Sequence, residues 1–482
     1  MRVLLVFAEA NMNPRMGVMY LASGLKAQGH ETSIVNAARL GLKGLRNLLL
    51  DWRPRVVGFT AMTGEHVRLL ELSRELKKNF SFLAVFGGPH ATFCAEDLVA
   101  DPGCDAACVG EGDAAFPEFC RRIEAGEEWW RSPNFVLLRD GVLCRNPVMP
   151  LLDNLNTLPM PDHDLMYLAD PPQAQEGTKI FFSTRDCPCN CTYCFQSAYK
   201  KIYGGTSPVM RRRSPKAFVD EIVYVKERYP LTFAMINDDS FLLNPKDWFD
   251  EFCPDYKTRI GLPFSICARA NLVTEERIAQ LRDAGMAVVA MGVECGNEEI
   301  ANSVLKRNLT KEQIRRAAQI IQRNGIFFRT LNLCGLPVPN AYKIDLETLM
   351  FNVELKPDWA WTSLLYPYPA TEIRNYAQGL GLLAKDHVPL LQSNKRASVF
   401  TFSSPAEKRK IENLHKLFDL FVQHSWLRKH ADFLCSLPLS SLYRLIYYIR
   451  YGYVWKFRMF PFRSPSREVW RYFIILLKLV RQ

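Results

Sequence analysis

The sequence predicts an α/β protein with three parts: an N-terminal doubly wound, Rossmann-like domain, a partial (β/α)6 TIM-like barrel, and a C-terminal helical region. Three observations predict it. Residues 1–125 and 178–385 both alternate short apolar runs with helical periodicity across short connections, the pattern of parallel strands covered on both faces. The 482 residues exceed what one core serves and fit about three domains. A composition of 48% hydrophobic and 23% charged residues is that of globular chains, so neither wholesale disorder nor a disulfide-stapled miniprotein fits.

The first domain, residues 1–125, opens on the strand RVLLVF and a helix over 16–28 stopped by Gly29. ETSIVN, RVVGFT, FLAVF and AACV follow as strands, with helices predicted over 42–50, 65–78 and up to Phe119. In such sheets ligands bind at the carboxyl ends of the strands. The loops there are 9–15, 60–64, Gly87-Gly88-Pro89-His90 and Gly110-Glu111-Gly112-Asp113. Thr60, Thr63, Gly87, Gly88 and His90 are the candidate contacts, because small and hydroxyl-bearing residues let a large flat ligand approach the backbone. Gly87-Gly88-Pro89 also reads as a plain turn. No G-x-G-x-x-G follows the first strand and no Walker-type loop is present, which counts against dinucleotides and nucleoside triphosphates. Cys104, Cys108 and Cys120 read as core residues.

Residues 126–177 read as a hairpin turning at Asp140-Gly141, then a proline-rich linker. Residues 178–385 hold six further strands, KIFFST, TFAMIND, FSICARA, AVVAMGVE, FFRTLNLCG and WAWTSLLYPYP, separated by helical runs; barrel chemistry lies at the strand C-terminal ends. Residues 386–482 are helical, basic and aromatic. From Ser425 to the end there are eleven Lys and Arg against Asp432 and Glu468, or +9, which leaves +2 for residues 1–424. The segment YRLIYYIRYGYVWKFRMFPFR, at 443–463, fits a lipid–water interface, a nucleic-acid stack, or an amphipathic lid packed on the barrel; nucleic acid is not the expected partner. The opening residues predict a buried strand rather than a signal peptide, and no apolar run reaches the 18 or so residues of a spanning helix, so the expectation is a cytoplasmic protein with peripheral membrane contact through its tail.

Fourteen cysteines without a secretory signal point to a reducing compartment and to metal rather than disulfides. Cys187, Cys191 and Cys194 follow the first barrel strand with C-x3-C-x2-C spacing, a pattern expected by chance in only ~1% of chains of this composition. Thiolates suit iron–sulfur clusters or zinc. Three ligands on a [4Fe–4S] cube leave one iron open for chemistry, whereas a zinc loop would need a distant fourth ligand. Cys189 falls outside the spacing and reads as a loop residue.

These residues resemble the radical SAM superfamily, and the resemblance runs through about 200 residues of barrel. It implies that Cys187, Cys191 and Cys194 hold the cluster and that S-adenosylmethionine (SAM) chelates the open iron. Tyr193 matches the residue against the adenine, and Arg211 to Pro215 the segment opening the first barrel helix. Asp238-Asp239 matches the second-strand motif, with Asp239 as a cofactor contact. Arg269 matches the arginine that pairs with the SAM carboxylate in relatives. Gly292-Val293-Glu294-Cys295-Gly296 is similar to a G-x-E-S-G motif, and Gly335 lies in the fifth-strand turn near the adenine. Tyr366 to Thr371 resembles P-x-P-G-T, with Ala370 in the glycine's place. Read from the residues alone, Arg269 and Glu294 also fit a barrel-mouth ion pair, and Asp238 and Asp239 a helix cap or loop brace. With the first domain attached, the chain resembles cobalamin-dependent radical SAM enzymes, whose members commonly manage without a histidine on cobalt. The implied activity is methyl transfer to an unactivated carbon of a small-molecule or lipid substrate through a 5′-deoxyadenosyl radical and methylcobalamin. The electron donor would be flavodoxin- or ferredoxin-like. A cyclase or rearrangement enzyme is the alternative within the family, and a non-catalytic iron–sulfur protein docking on membranes is the alternative outside it.

Overall fold

The computed structural model describes residues 1–8, 15–204, 210–387 and 397–459. Strands β1 (Arg2–Phe7), β2 (Glu31–Asn36), β3 (Val56–Thr60), β4 (Leu83–Gly87) and β5 (Ala106–Cys108) are parallel in the order β2-β1-β3-β4-β5. Val3, Leu5 and Phe7 of β1 join one apolar layer and Leu4 and Val6 the opposite one. That is why this strand is apolar throughout: helices cover both faces.

The predicted hairpin is not a free connector. Its strands β6 (Phe135–Arg139) and β7 (Val142–Arg145) continue the first sheet antiparallel from β5. Two contacts draw it there: Phe135 stacks on Phe119 with centroids 4.3 Å apart, and Asn134 Nδ2 donates to the Val109 carbonyl at 2.8 Å. The proline-rich linker then folds helix His163–Ala169, capped by Asp162, against both domains. Lys26 reaches Asp162 at 2.6 Å, and the hydroxyls of Tyr224 and Tyr229 each meet Asp164 at 2.7 Å.

The second sheet is six parallel strands with no closing pair: β8 (Thr178–Phe181), then, after a small antiparallel ribbon of β9 (Thr184–Arg185) and β10 (Arg211–Arg212), β11 (Phe233–Ile236), β12 (Phe264–Ala268), β13 (Met286–Glu294), β14 (Phe327–Cys334) and β15 (Trp359–Leu364). Its open side is covered by the tail. Helix Pro405–Gln423, capped by Ser404 and started by proline, lies against β15. Helix Ser440–Val454 and the wide turn Trp455–Met459 then bring Val454 and Met459 into contact with Phe233, Val288 and Trp359. Of the three readings of the tail, the packed lid describes Tyr443, Tyr447 and Tyr448, all buried. The opposite face leaves Leu442, Leu445, Ile449, Tyr453 and Phe457 exposed. No helix among the described residues is long and apolar enough to cross a membrane. Residues 460–482 and most of the 9–15 loop lie outside the described residues.

Candidate active site

After β8 the chain turns into the ribbon because Asp238, following β11, accepts the N–H groups of Ser183 at 2.7 Å and Thr184 at 3.1 Å and the Ser183 hydroxyl. Burial pushes the Asp238 carboxyl up to about 6 against those donors. Asp238 thus braces the loop, while Asp239, held by Gln196 Nε2 at 2.6 Å and raised by burial, borders open space. Arg211 clamps Asp186 at 2.7 and 3.2 Å, and Asp186, at φ +74°, turns the backbone immediately before Cys187.

Cys187 Sγ lies 3.8 Å from Ser240 Oγ, and Cys191 Sγ lies 3.8 Å from Arg307 Nη1. Cys194 occupies the N-cap position of helix Phe195–Ile202 without a side-chain capping bond. Burial pushes the Cys194 thiol up to about 12. The Cys187 thiol donates to Cys189; that bond and burial both raise Cys187, whereas the bond lowers Cys189 against the effect of burial. Thiols so enclosed need a bound cation to ionise. Among the described residues no three His, Cys, Asp or Glu side chains converge on a single ion. A cube gives each thiolate its own iron, so three flanking sulfurs fit it without converging.

Beside this loop, Arg307 donates to the Tyr193 hydroxyl at 3.1 Å and to the Gly292 carbonyl at 2.6 Å, and the Tyr193 hydroxyl bonds Glu294. Burial raises both Tyr193 and Glu294. Glu294 ends β13 across a register shift and sits at φ +64°, a conformation strained for a side-chain-bearing residue and common at functional sites. Gly292 is required by the same geometry: a Cβ there would lie 2.7 Å from Glu294 Oε1 and 3.1 Å from Arg307 Nη2. Gly292→Ala is expected to cost about 1–3 kcal/mol by overpacking, read as a lower thermal midpoint. Arg269 does not pair with Glu294; it donates to the Arg307 carbonyl and lies near Cys189. Gly335, at φ +70°, gives its N–H to Asp345 at 3.0 Å, and a Cβ there would be 3.1 Å from Ile411 of the tail. Ala370 occupies φ +61°, so the backbone keeps the glycine-like conformation without the glycine.

A cavity of about 560 Å³ lies between this loop and the first domain. One wall is Gly58, Thr60, Gly87, Gly88 and Thr92 at the ends of β3 and β4 with Gly17 and Gly112; the other is Ser183 to Asp186, Phe195, Gln196, Tyr199 and Asp239. A Cβ at Gly17 or Gly87 would meet nothing within 4 Å, as a wall cleared for a broad flat ligand requires. A Cβ on Gly88, which sits at φ +92° as the N-cap of helix Pro89–Phe93, would lie 3.1 Å from Thr60 Oγ1 and 3.2 Å from the Ala61 carbonyl. Thr63 and His90 are not on this wall. The one-turn helix presents Pro89, Thr92 and Phe93 to the cavity and rotates His90 inward, where its Nδ1 lies 3.3 Å from Thr63 Oγ1 and its ring stacks on His66 at 3.6 Å. Among the described residues no histidine lines the cavity.

Burial, with His66 adding, pushes His90 down to about 3. A histidine lowered in the fold contributes stability that is complete above its unfolded value near 6.5 and is lost as pH falls from there toward 3. The thermal midpoint is therefore expected to drop through that window, and His90→Gln to flatten the drop.

The pairings of two groups of site residues carry no local signal. Arg307 is one. The other is the clasp between the domains: Arg185 on Asp113 at 2.7 and 3.0 Å, Arg211 on Glu111 at 2.6 and 3.0 Å, and the Tyr203 hydroxyl accepting the Glu111 N–H at 2.9 Å. The Gly-Glu-Gly-Asp loop marks the spot in the sequence, but its partners lie 72 to 100 residues away.

Comparison with known proteins agrees with this geometry. Residues 3–120 match the B12 binding domain and residues 181–345 the radical SAM superfamily. An uncharacterised methyltransferase of Pyrococcus horikoshii is 24% identical over 77% of this chain and 80% of its own. The anaerobic magnesium-protoporphyrin IX monomethyl ester cyclase of Synechocystis is 22% identical over 65% and 63%. The solved structure of the cobalamin-dependent S-adenosylmethionine radical enzyme OxsB, with aqua-cobalamin and S-adenosylmethionine bound, superimposes with TM-score 0.69 over 100% of this chain and 75% of that one, at 15% identity.

Proposed function

From the premise that the chain is a cobalamin-binding radical SAM enzyme, with a [4Fe–4S] cluster, SAM and cobalamin as its cofactors, we propose that it is a methyltransferase acting on an unactivated carbon of a small molecule. When bound, these groups supply one-electron cleavage of SAM and a transferable methyl group. The chain supplies placement. Cys187, Cys191 and Cys194 hold the cluster, and Arg307 sets positive charge beside Cys191. Arg269, with N–H groups left over from its bond to Arg307, receives the SAM carboxylate. Tyr193 and Glu294, locked to one another, position the adenosine side; Gly335 keeps the fifth-strand turn close to it. Asp239 faces the cavity from the cluster side, and Thr60, Gly87 and Gly88 bed the corrin, with His90 and Thr63 bracing that wall from behind. The supporting observation is the single cavity bordered by the first domain's strand ends on one side and by the cluster loop's flanks on the other. In this reading the two cofactors would face each other across it.

Protein purified anaerobically with cobalamin supplied is expected to show iron–sulfur and corrin bands and to release 5′-deoxyadenosine from SAM and a reductant. A product heavier by about 14 mass units marks methylation, and loss of hydrogens marks the cyclase reading that the Synechocystis relative favours. Absence of 5′-deoxyadenosine would favour the non-catalytic alternative. A flavodoxin or ferredoxin is the electron donor in this reading.

The exposed row Leu442, Leu445, Ile449, Tyr453 and Phe457, beside Lys456 and Arg458, supports peripheral contact with an anionic lipid surface. Because the other face of the helix packs on the barrel, truncation would confound the test. L442S/I449S/F457S is expected to abolish flotation with phosphatidylserine vesicles while leaving the iron content unchanged; flotation equal to wild type would remove this reading.

A further inference from the structure

The barrel interior holds a charge that nothing described neutralises. On β14, Phe328, Thr330 and Asn332 are buried toward the outer helix, where Thr330 and Asn332 bond Asn352. The alternate residues Phe327, Arg329 and Leu331 therefore point into the lumen, and each keeps some accessible surface, as do Met235, Cys267 and Trp361 on neighbouring strands. Met235, Phe327 and Trp361 pack against the tail's Val454 and Met459, and Arg329, Leu331 and Cys267 are only partly covered.

Arg329 stands in it with its guanidinium 4.4 Å over Trp359 and 5.1 Å over Trp361. Among the described residues it forms no ion pair with any carboxylate. Burial lowers its affinity for its proton, and the groups acting on it are Tyr451, Cys267 and Tyr447, none of them a carboxylate. Its Nε is sealed without an acceptor, while the neighbouring Tyr447 hydroxyl and Trp361 indole bond each other. An enclosed cation with no counter-charge is costly, and unsatisfied buried donors add to the cost. A void of about 20 Å³ beside Trp361, Tyr447 and Tyr451 has room for one water. A water there would satisfy hydrogen bonds but not the charge.

The position along the strand matters. Glu294 of β13 pairs with Asn332, three residues beyond Arg329, so Arg329 lies about 10 Å deeper in the barrel than Glu294. Cys267 pairs in register with Ala290 and Ala290 with Arg329, so Cys267 stands at Arg329's level two strands away. Tyr447 and Tyr451 come from the tail helix, so the aromatic part of the tail is a wall of this chamber.

We infer that Arg329 is the substrate's anion anchor: the enzyme takes a molecule bearing a carboxylate or phosphoryl group, received by Arg329 over the rings of Trp359 and Trp361, whose reacting end stands about 10 Å away at the level of Glu294. This rests on the proposed function only for the word substrate; the anion site itself is tested without turnover.

The experiment uses the full-length, cluster-loaded protein in thermal melts at constant ionic strength, with sodium phosphate or sodium acetate replacing chloride. Wild type is expected to melt higher in one of the two, phosphate marking a phosphoryl group and acetate a carboxylate. R329M is expected to lose that response and, with the uncompensated charge gone, to melt about 2 °C above wild type in chloride. R329K, which keeps a charge without the planar fork, is expected to retain part of the response. E468Q, which removes the acidic side chain beyond residue 459, is expected to respond as wild type. Three results overturn the inference: no preference of wild type for either anion over chloride, an R329M that melts lower yet responds like wild type, or a stronger response in E468Q, which would assign Glu468 as the arginine's partner. Failure of methyl transfer alone leaves these melts unaffected, so the two readings fall separately.

Discussion

Alanine at Cys191 or Cys194 is expected to abolish iron binding and 5′-deoxyadenosine release together, an effect of at least three orders of magnitude in rate, because the open-iron site disappears rather than weakens. Cys187→Ala is expected to behave the same way even though Cys189 is its hydrogen-bond partner. Cys194 stands at the N-cap position of a helix and Cys191 meets Arg307, so the loop's backbone is held for the C-x3-C-x2-C set. The Cys189 carbonyl, by contrast, is tied back to Lys200 at 2.8 Å. Cys189→Ser is accordingly expected to keep full iron content. The measurements are iron per chain, the visible spectrum and nucleoside release; a Cys189→Ser variant that loses iron while Cys187→Ala retains it would reassign the ligand set.

The same loop shows why some of this site was readable beforehand and some was not. The three thiols lie within eight residues, so their spacing carried the expectation without any tertiary contact. The strand alternation of both sheets was readable for the same reason: a parallel strand buried on two faces must be apolar along its whole length. Gly292 was readable as a motif, and its reason appeared only when Arg307, fifteen residues on, crossed the space a side chain would fill. His90 was misplaced relative to the cavity because a one-turn helix starting at Pro89 rotates it by a step that a loop reading cannot anticipate. Thr92, two residues later, took the wall position and ties Gly88 to Gly110. The hairpin was readable from its Asp140-Gly141 turn, but its pairing with β5 was not, because that depends on Phe135 finding Phe119, a tertiary contact. The tail's tyrosines read equally well as membrane anchors or core, since what decides is the shape of the half-open barrel they meet.

Arg211→Met is the second substitution expected to have a large effect, and its reach is across domains. The guanidinium is buried and holds two carboxylates at once, Asp186 at 2.7 Å and Glu111 at 2.6 Å, and also donates to the Leu152 carbonyl at 3.0 Å. Removing it strands the enclosed Asp186 and leaves Glu111 with Arg185 alone, at 3.1 Å. Breaking a buried pair costs about 3–5 kcal/mol, most of it the penalty of the charge left behind. Asp186 carries the left-handed turn into Cys187, and Glu111 belongs to the loop that lines the first domain's side of the cavity. One substitution therefore loosens both walls. The expected readout is a lower thermal midpoint together with faster loss of cobalamin on gel filtration. Arg211→Lys, with one compact charge in place of a fork, is expected to recover only part of either. Arg185→Met makes the comparison: its pairs with Asp113 and Glu111 are more open to water, at 22% side-chain exposure against 3% for Arg211, so solvent takes up more of the loss. A deficit in Arg185→Met equal to that in Arg211→Met would mean that the domains are held by their apolar contacts and that the clasp adds little.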